Sequence, residues 1–329
     1  MTARVFSGEE GITEAVATLR RGEVVGLPTE TVYGLAGDAF NPLAAARIFE
    51  AKGRPLSDPL IVHLPEAQWL DRVAIFESPE QQSRVEQLAA AFWPGPLTLI
   101  LKRQPNLPDL VTAGMESVAV RVTAHPLFQE VLYQLNSPLA APSANRFGRI
   151  SPTSAEDVRI ELGDMIPFIL DGAACEHGME STIVAVKGDT LEVLRPGPIT
   201  REQLSKYGHV VTPGEIVNTP GSLPGHYAPK KELQIIKTDI KSFIPPSGAA
   251  LLALRTPEPE VAARYDTMEV LSPLGDLREA AARFYGAIRR LDETESVIII
   301  AEPLPEEGIG VAVMDRMRRA AWGSTEKIS

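Results

Sequence analysis

Four cations and a small set of hydroxyl and amide side chains stand where this chain could do chemistry. Lys52 and Arg54 lie in KGRPLSDP, Arg121 lies inside the apolar run VAVRV, and Arg195 precedes PGP at the end of another apolar run. A proline after Arg54 stiffens the loop and fixes the direction of the side chain. An unpaired charge inside an apolar strand is costly, so Arg121 calls for an anionic partner, and a substrate carboxylate or phosphate would serve. Near these cations in sequence stand a hydroxyl-rich turn, Thr29-Glu30-Thr31, the segment Ser143-Ala144-Asn145, and Ser181 in ESTIV. Neutral hydrogen-bond donors together with fixed positive charge suit an anionic, phosphate-bearing substrate. Small polar residues between a strand and a helix N-terminus can hold phosphate on backbone N–H groups; an ordinary capped turn has the same composition. Neither a Walker A loop nor a GxGxxG fingerprint is present. Cys175 and His177 are near neighbours, but no third group that would orient them as a nucleophile pair is apparent. His63, at the end of PLIVHL, reads on its own as a core histidine.

The elements that must position these groups follow from periodicity. Residues 1–200 read as one α/β unit. Strands are expected at Val24–Leu27, Leu60–Leu64, Leu97–Leu101, Val118–Val122, Leu139–Pro142, Phe168–Leu170, Thr182–Val186 and Leu191–Leu194. Helices are expected at Glu10–Arg21, Pro42–Ala51, Pro79–Ala91, Pro126–Leu135 and Ser154–Leu162. Val85, Leu88, Ala89 and Phe92 fall at helical spacing, Pro79 and Pro126 suit a first helical turn, and Ser154 with Asp157 resembles a capping box. The opening segment thus reads as a strand, a polar turn, a helix and a cationic loop. Thr212–Lys231, with four prolines and three glycines, reads as an extended linker. A second βα alternation follows, with strands at Leu233–Lys237, Ala249–Leu254, Thr267–Leu271 and Val297–Ile300. Its helices are expected at Pro259–Tyr265, Asp276–Leu291 and Gly308–Ala321, which implies a small parallel sheet covered by helices.

Bulk properties narrow the class. A chain of 329 residues suggests two domains. With 44% hydrophobic and 23% charged residues it should fold rather than remain disordered. The net charge of −11 weighs against a general nucleic-acid binder. Residues 1–200 hold 16 Lys+Arg against 25 Asp+Glu, so their positive charge must be gathered at one spot to act as a site. With Cys175 as the single cysteine, no intramolecular disulfide is possible. The N-terminal residues lack an apolar signal segment and no run approaches the roughly 20 residues of a membrane span, so a cytoplasmic location is expected.

Taken together, the segments resemble the threonylcarbamoyl-AMP synthase family, whose catalytic module is the YrdC-like domain. The matching pieces are PTETVYGL (28–35), KGRPLSDPL (52–60), FWPGPLTLIL (92–101), VAVRVTAHPL (118–127), APSANRFGRISPT (141–153), ESTIV (180–184) and LRPGPIT (194–200). They occur in the family's order and spacing. PGSLPGHYAP (220–229) and GIGVAVMDRMRRAA (308–321) are similar to the two-domain form. The resemblance implies a YrdC-like twisted open mixed sheet over residues 1–205, a Pro/Gly-rich linker over 206–231 acting as an active-site lid, and a smaller Rossmann-like α/β domain over 232–329. It implies the synthesis of threonylcarbamoyl-AMP and pyrophosphate from L-threonine, bicarbonate (or carbon dioxide) and ATP with Mg²⁺, with the product passed to proteins that modify tRNA. The metal ligands are not indicated, and a weak tRNA contact is conceivable.

The resemblance also distributes roles. Lys52, Arg54, Ser143 and Asn145 would act on the reacting phosphates and carbamate. Arg54, Asp58, Ser117, Ala141, Ser143, Ser151, Arg195 and Tyr227 would line the ATP site. Thr31, His63, Arg121 and Ser181 would form the threonine pocket, with Arg121 on the carboxylate. The alternatives are an RNA-binding module, an ATP-binding regulator without turnover, and a YrdC-like enzyme that takes carbamoyl phosphate.

Overall fold

The computed structural model describes residues 2–213 and 226–322. The expected linker Thr212–Lys231 falls mostly outside that set, since 214–225 are not described. Two sheets organise the rest. Among the described residues the larger sheet has 12 strands and the smaller has four.

The larger sheet is mixed. Val25–Leu27 turns back on Gly34–Asp38 as an antiparallel pair, which continues antiparallel to Leu139–Ala140. Next come Ile61–His63 and, parallel to it, Ser117–Arg121. Leu97–Arg103 pairs antiparallel with Ser117–Arg121 and parallel with Thr182–Lys187, and Thr190–Arg195 closes back on Thr182–Lys187. Helices cover both faces. Gly8–Arg20 and Pro126–Leu135 bury Ile12, Val16, Leu19, Phe128 and Val131 against one face. Pro42–Lys52, Pro79–Phe92 and Ala155–Leu162 bury Ile48, Phe49, Val85, Leu88 and Val158 against the other.

The expected helices form within one or two residues of the sequence reading, for identifiable reasons, except that Pro259–Tyr265 stops at Ala262. Pro42–Lys52 starts on Asn41, whose side chain accepts from the N–H groups of Leu43 and Ala44, and stops at Gly53 with φ 61°. Ser154 and Asp157 make the reciprocal capping box that opens Ala155–Leu162. The opening segment differs from the expectation. A further strand, Gly34–Asp38, stands between the hydroxyl turn and the helix. Its GLAGD sequence has neither β-branched residues nor alternation. It is a strand because it pairs on both sides, with Val25–Leu27 and Leu139–Ala140, and its small residues suit close neighbours: a Cβ at Gly34 would lie 3.2 Å from the Cβ of Ala141. The strands Arg4–Ser7, Ala74–Ile75 and His209–Val211 are also additions. Arg4–Ser7 sits at one edge of the sheet and His209–Val211 at the other, where exposure leaves little hydrophobic signal to read.

The smaller sheet is all parallel, in the order Glu232–Ile235, Ile298–Ala301, Ala249–Ala253, Thr267–Val270, as the βα alternation implies. Leu277–Asp292 and Gly310–Ala320 pack on one face through Phe284, Ile288, Val313 and Met317. That core does not end at the sheet. It continues into Val32, Ile150, Met179 and Tyr227, so the two halves share buried apolar surface. Gly178, at φ +62°, marks a close approach between them: a Cβ there would stand 2.2 Å from the carbonyl oxygen of Ala282. No helix among the described residues is long and apolar enough to cross a membrane.

Candidate active site

The ends of several strands and the turns that follow them meet at one place. His63 and Arg121 are register partners at the ends of parallel strands. Ser143 bridges to Gly34 just beyond the Thr29–Thr31 turn, and the Ala144 N–H donates to the carbonyl of Tyr33. Arg195 is paired with Ile183, two residues past Ser181. The result is a single cleft. Nine of the sequence-chosen residues line it: Thr31, Arg54, His63, Arg121, Ala141, Ser143, Ser181, Arg195 and Tyr227.

One wall is built on Arg121. Its Nη2 lies 2.5 Å from Oε1 of Glu30, and its Nη1 donates to Oγ1 of Thr31 at 3.0 Å. The hydroxyl of Thr123 donates to the other Glu30 oxygen. Burial alone would favour the neutral acid of Glu30, but Arg121 and these hydrogen bonds more than offset it and hold the carboxyl below its usual range. Thr29 shapes the turn by accepting from the N–H groups of Thr31 and Val32. His63 stacks on Phe128 at 4.9 Å. Burial, reinforced by the charge of Arg121, brings its pKa down to about 3, so the ring is a neutral donor or acceptor at physiological pH.

Arg54 and Arg195 line another part of the cleft, with Lys52 behind it. Arg54 is buried and closes its own loop, donating from Nε to the Asp58 carbonyl at 3.0 Å and from Nη2 to the Pro59 carbonyl at 2.8 Å. Its Nη2 also lies 2.8 Å from Oδ1 of the fully buried Asp58. The Nζ of Lys52 donates at 2.6 Å to the carbonyls of both Ser143 and Asn145. Burial, then the charge of Arg54, lowers its pKa well below the ordinary lysine value. Arg195 donates to the Ser181 carbonyl at 2.9 Å and to its hydroxyl at 3.1 Å, and Ser181 shares a 2.7 Å hydrogen bond with Thr98. Asn145 holds the following loop by donating to the carbonyls of Arg146 and Arg149.

Not every expected residue reaches the cleft. Asp58 lies behind Arg54 and Ser151 lies behind Glu180, to which it donates at 2.6 Å. Ser117 is at the far end of the Arg121 strand, about 13 Å away at 3.3 Å per residue, and lines a separate recess with Lys102 and Gln81. Cys175 is buried, with its thiol pushed up mainly by burial, and a protonated buried thiol is a poor nucleophile.

Several groups that the sequence reading passed over are here. Glu30 pairs with Arg121. His226 lines the cleft beside the expected Tyr227 and stands edge-on to Phe147 at 4.8 Å. Glu180 accepts from the Tyr285 hydroxyl and, at 2.9 Å, from Nε of Arg316. Arg316 was legible in principle: it lies on the apolar stripe of Val313, Met317 and Ala320, at i+3, i+4 and i+7 from Val313.

This fold and cleft have close relatives. Residues 17–197 match the family model described as "Telomere recombination", and residues 199–322 match the one described as "Threonylcarbamoyl-AMP synthase, C-terminal domain". The chain is 38% identical to a threonylcarbamoyl-AMP synthase of Bacillus subtilis, covering 98% of this chain and 96% of the relative. It is 37% identical to one of Pyrococcus abyssi, covering 93% of each. The crystal structure of P. abyssi Sua5 complexed with L-threonine superposes with a TM-score of 0.87 at 32% identity, over 97% of this chain and 98% of that one.

Proposed function

The chain belongs to the threonylcarbamoyl-AMP synthase family, and we propose how its cleft carries out that nucleotidyl transfer. L-Threonine, bicarbonate or carbon dioxide, and ATP are the substrates; threonylcarbamoyl-AMP and pyrophosphate are the products. The observation that carries the reading is one cleft lined both by Thr31, His63, Arg121 and Ser181 and by the cations Arg54 and Arg195.

Threonine is bound at the first of these groups with its carboxylate on Arg121. That choice leaves the amine as the reacting end. The amine nitrogen adds to carbon dioxide and loses a proton, giving an N-carboxy anion. One oxygen of that anion forms a bond to the α-phosphorus of ATP, and the bond to the β-phosphate bridging oxygen breaks to release pyrophosphate. Charge builds up on phosphate oxygens, so catalysis rests on fixed cations and backbone donors. Arg54 is held rigid by Asp58 and Pro59 and presents fixed positive charge to the phosphates. Lys52 fixes the Ser143–Asn145 backbone by donating to both carbonyls. Acids near the cleft are already engaged: Asp58 by Arg54, Glu30 by Arg121, and Glu180 by Arg316. That supports Mg²⁺ entering with the nucleotide on the substrate phosphates. Tyr227 and His226 bring the HYAP segment over the cleft, which supports a lid that keeps water from the labile carbamate. The adenylate is then consumed by a separate tRNA-modifying activity.

Serine lacks only the threonine methyl group. Its rejection rests on an apolar contact of roughly 1–3 kcal/mol, so discrimination should be modest. The direct test mixes protein, ATP, Mg²⁺ and bicarbonate with and without L-threonine and measures pyrophosphate. Threonine-dependent release is expected; equal release without threonine would overturn the reading.

A further inference from the structure

Glu180 lies in the wall of the cleft, yet its carboxylate is held from the other side. Arg316, with no exposed surface, donates from Nε to Oε2 at 2.9 Å. The hydroxyl of Tyr285 lies 3.0 and 2.9 Å from the two oxygens, and Ser151 donates to Oε1 at 2.6 Å. Arg316 is itself fixed. It donates from Nη2 to the carbonyl of Pro196 at 3.0 Å, immediately after Arg195, and its Nη1 is paired with Asp315. Its guanidinium carbon stands 5.3 Å from the Tyr227 ring, which stacks on Tyr285 at 5.7 Å. Both Arg316 and Tyr285 belong to the helices that cover the smaller sheet. A second clamp lies one turn along the same helix from Tyr285. Arg289 donates to Glu161 and to the Ile150 carbonyl, both at 3.0 Å, bracing the loop that follows Asn145.

We propose that Arg316 is a positioning residue for nucleotide binding: it fixes the Glu180 carboxylate toward the C-terminal helices and so keeps that negative charge off Arg195 and out of the phosphate-binding wall. The proposal rests on the function inferred above. Its physical content is a choice between two cations. Glu180 is ionised chiefly because Arg316, and after it Arg195, outweigh the effect of burial. With Arg316 gone, Arg195, which lines the same cleft and is the next-strongest positive influence on the carboxylate, is left to answer it, and the cleft would lose positive charge where ATP brings its phosphates. Through this buried ion pair the C-terminal domain acts on the site without touching substrate.

The test measures Mg-ATP affinity by titration calorimetry, alongside pyrophosphate release. Arg316→Met keeps the apolar bulk and removes the charge. It should weaken ATP binding about tenfold or more and leave threonine KM within about threefold, since one misdirected buried charge is worth at least a factor of ten. Glu180→Gln in the same chain should restore most of the affinity, because there is then no carboxylate to misdirect. Unchanged affinity in R316M overturns the proposal. So does an E180Q/R316M chain as weak as R316M, which would make the role one of packing alone. If the unpaired carboxylate keeps R316M from folding, Tyr285→Phe carries the test. It should weaken ATP binding by about threefold, with recovery in E180Q/Y285F; no change in Y285F overturns the idea. An unaltered chain that binds ATP but releases no pyrophosphate would refute the proposed function while leaving the Arg316 test readable.

Discussion

Replacing Arg121 with methionine should separate two jobs that one guanidinium performs. The first is structural. Arg121 is buried 2.5 Å from a carboxylate oxygen of Glu30, a residue that is itself only 6% exposed. Removing one partner of a buried pair costs about 3–5 kcal/mol, because the other charge stays behind. For a unit of 150–250 residues each kcal/mol moves the melting temperature by about 2–4 °C, so a fall of roughly 6–20 °C is expected. The second job is binding. A hydrogen bond to a charged group contributes about 1.5–3 kcal/mol, which corresponds to a roughly 10- to 150-fold rise in threonine KM. The residual Glu30 charge would repel the substrate carboxylate and push the effect toward the upper end. Adding Glu30→Gln removes the stranded charge. The double variant R121M/E30Q should regain much of its melting temperature but little of its threonine affinity, since the cation that binds substrate is still missing. Thermal melts and threonine-dependent pyrophosphate kinetics read the two effects separately. A threonine KM within threefold of the unaltered chain in R121M, at temperatures where it is folded, would refute the assignment.

Other outcomes follow from the same geometry. Arg54→Ala should lose most activity and also melt lower, because it leaves the fully buried Asp58 without its ion pair; near-normal turnover would remove Arg54 from the phosphate wall. Stability should fall on acidification. The rings of His63 and His226 have pKa values near 3 in the fold, against about 6.5 unfolded. Between those values the unfolded chain binds protons that the folded chain does not, so stability rises with pH across that window and is fully present above about 6.5. Going from about pH 7.5 to 5.5 should cost about 1.4 kcal/mol for each ring; a flat melting temperature would contradict neutral buried rings. Cys175→Ala should keep full threonine-dependent turnover, and the native thiol should react with a disulfide reagent only on unfolding; loss of turnover would reopen covalent catalysis.

What could be read from the sequence was whatever a local pattern specifies. Helix periodicity, proline and serine caps and β-branched runs announced Pro126–Leu135, Ala155–Leu162 and Thr182–Lys187, and the βα alternation announced the smaller parallel sheet. Gly34–Asp38 escaped because its strand character comes from pairing with Val25–Leu27 and Leu139–Ala140, a long-range fact that no local propensity carries. Cations were found as single residues, but their partners were not. Glu30 and Glu180 look like ordinary polar residues of a turn and a strand start. Only the fold brings Glu30 to Arg121 across 91 positions and Glu180 to Arg316 across 136. Ser117 shows the converse: a motif position close in sequence to Arg121 stands at the other end of a strand.

The central claim is that this cleft joins the threonine amine, not its carboxylate, to the nucleotide. The most direct measurement is mass spectrometry of the adenylate formed from carbon-13 bicarbonate, L-threonine and ATP. The account predicts a threonine–AMP adduct that carries one labelled carbon between the amine nitrogen and the phosphate. An unlabelled adduct with the phosphate on the threonine carboxylate would contradict it, because Arg121 would then be holding the wrong end of the substrate.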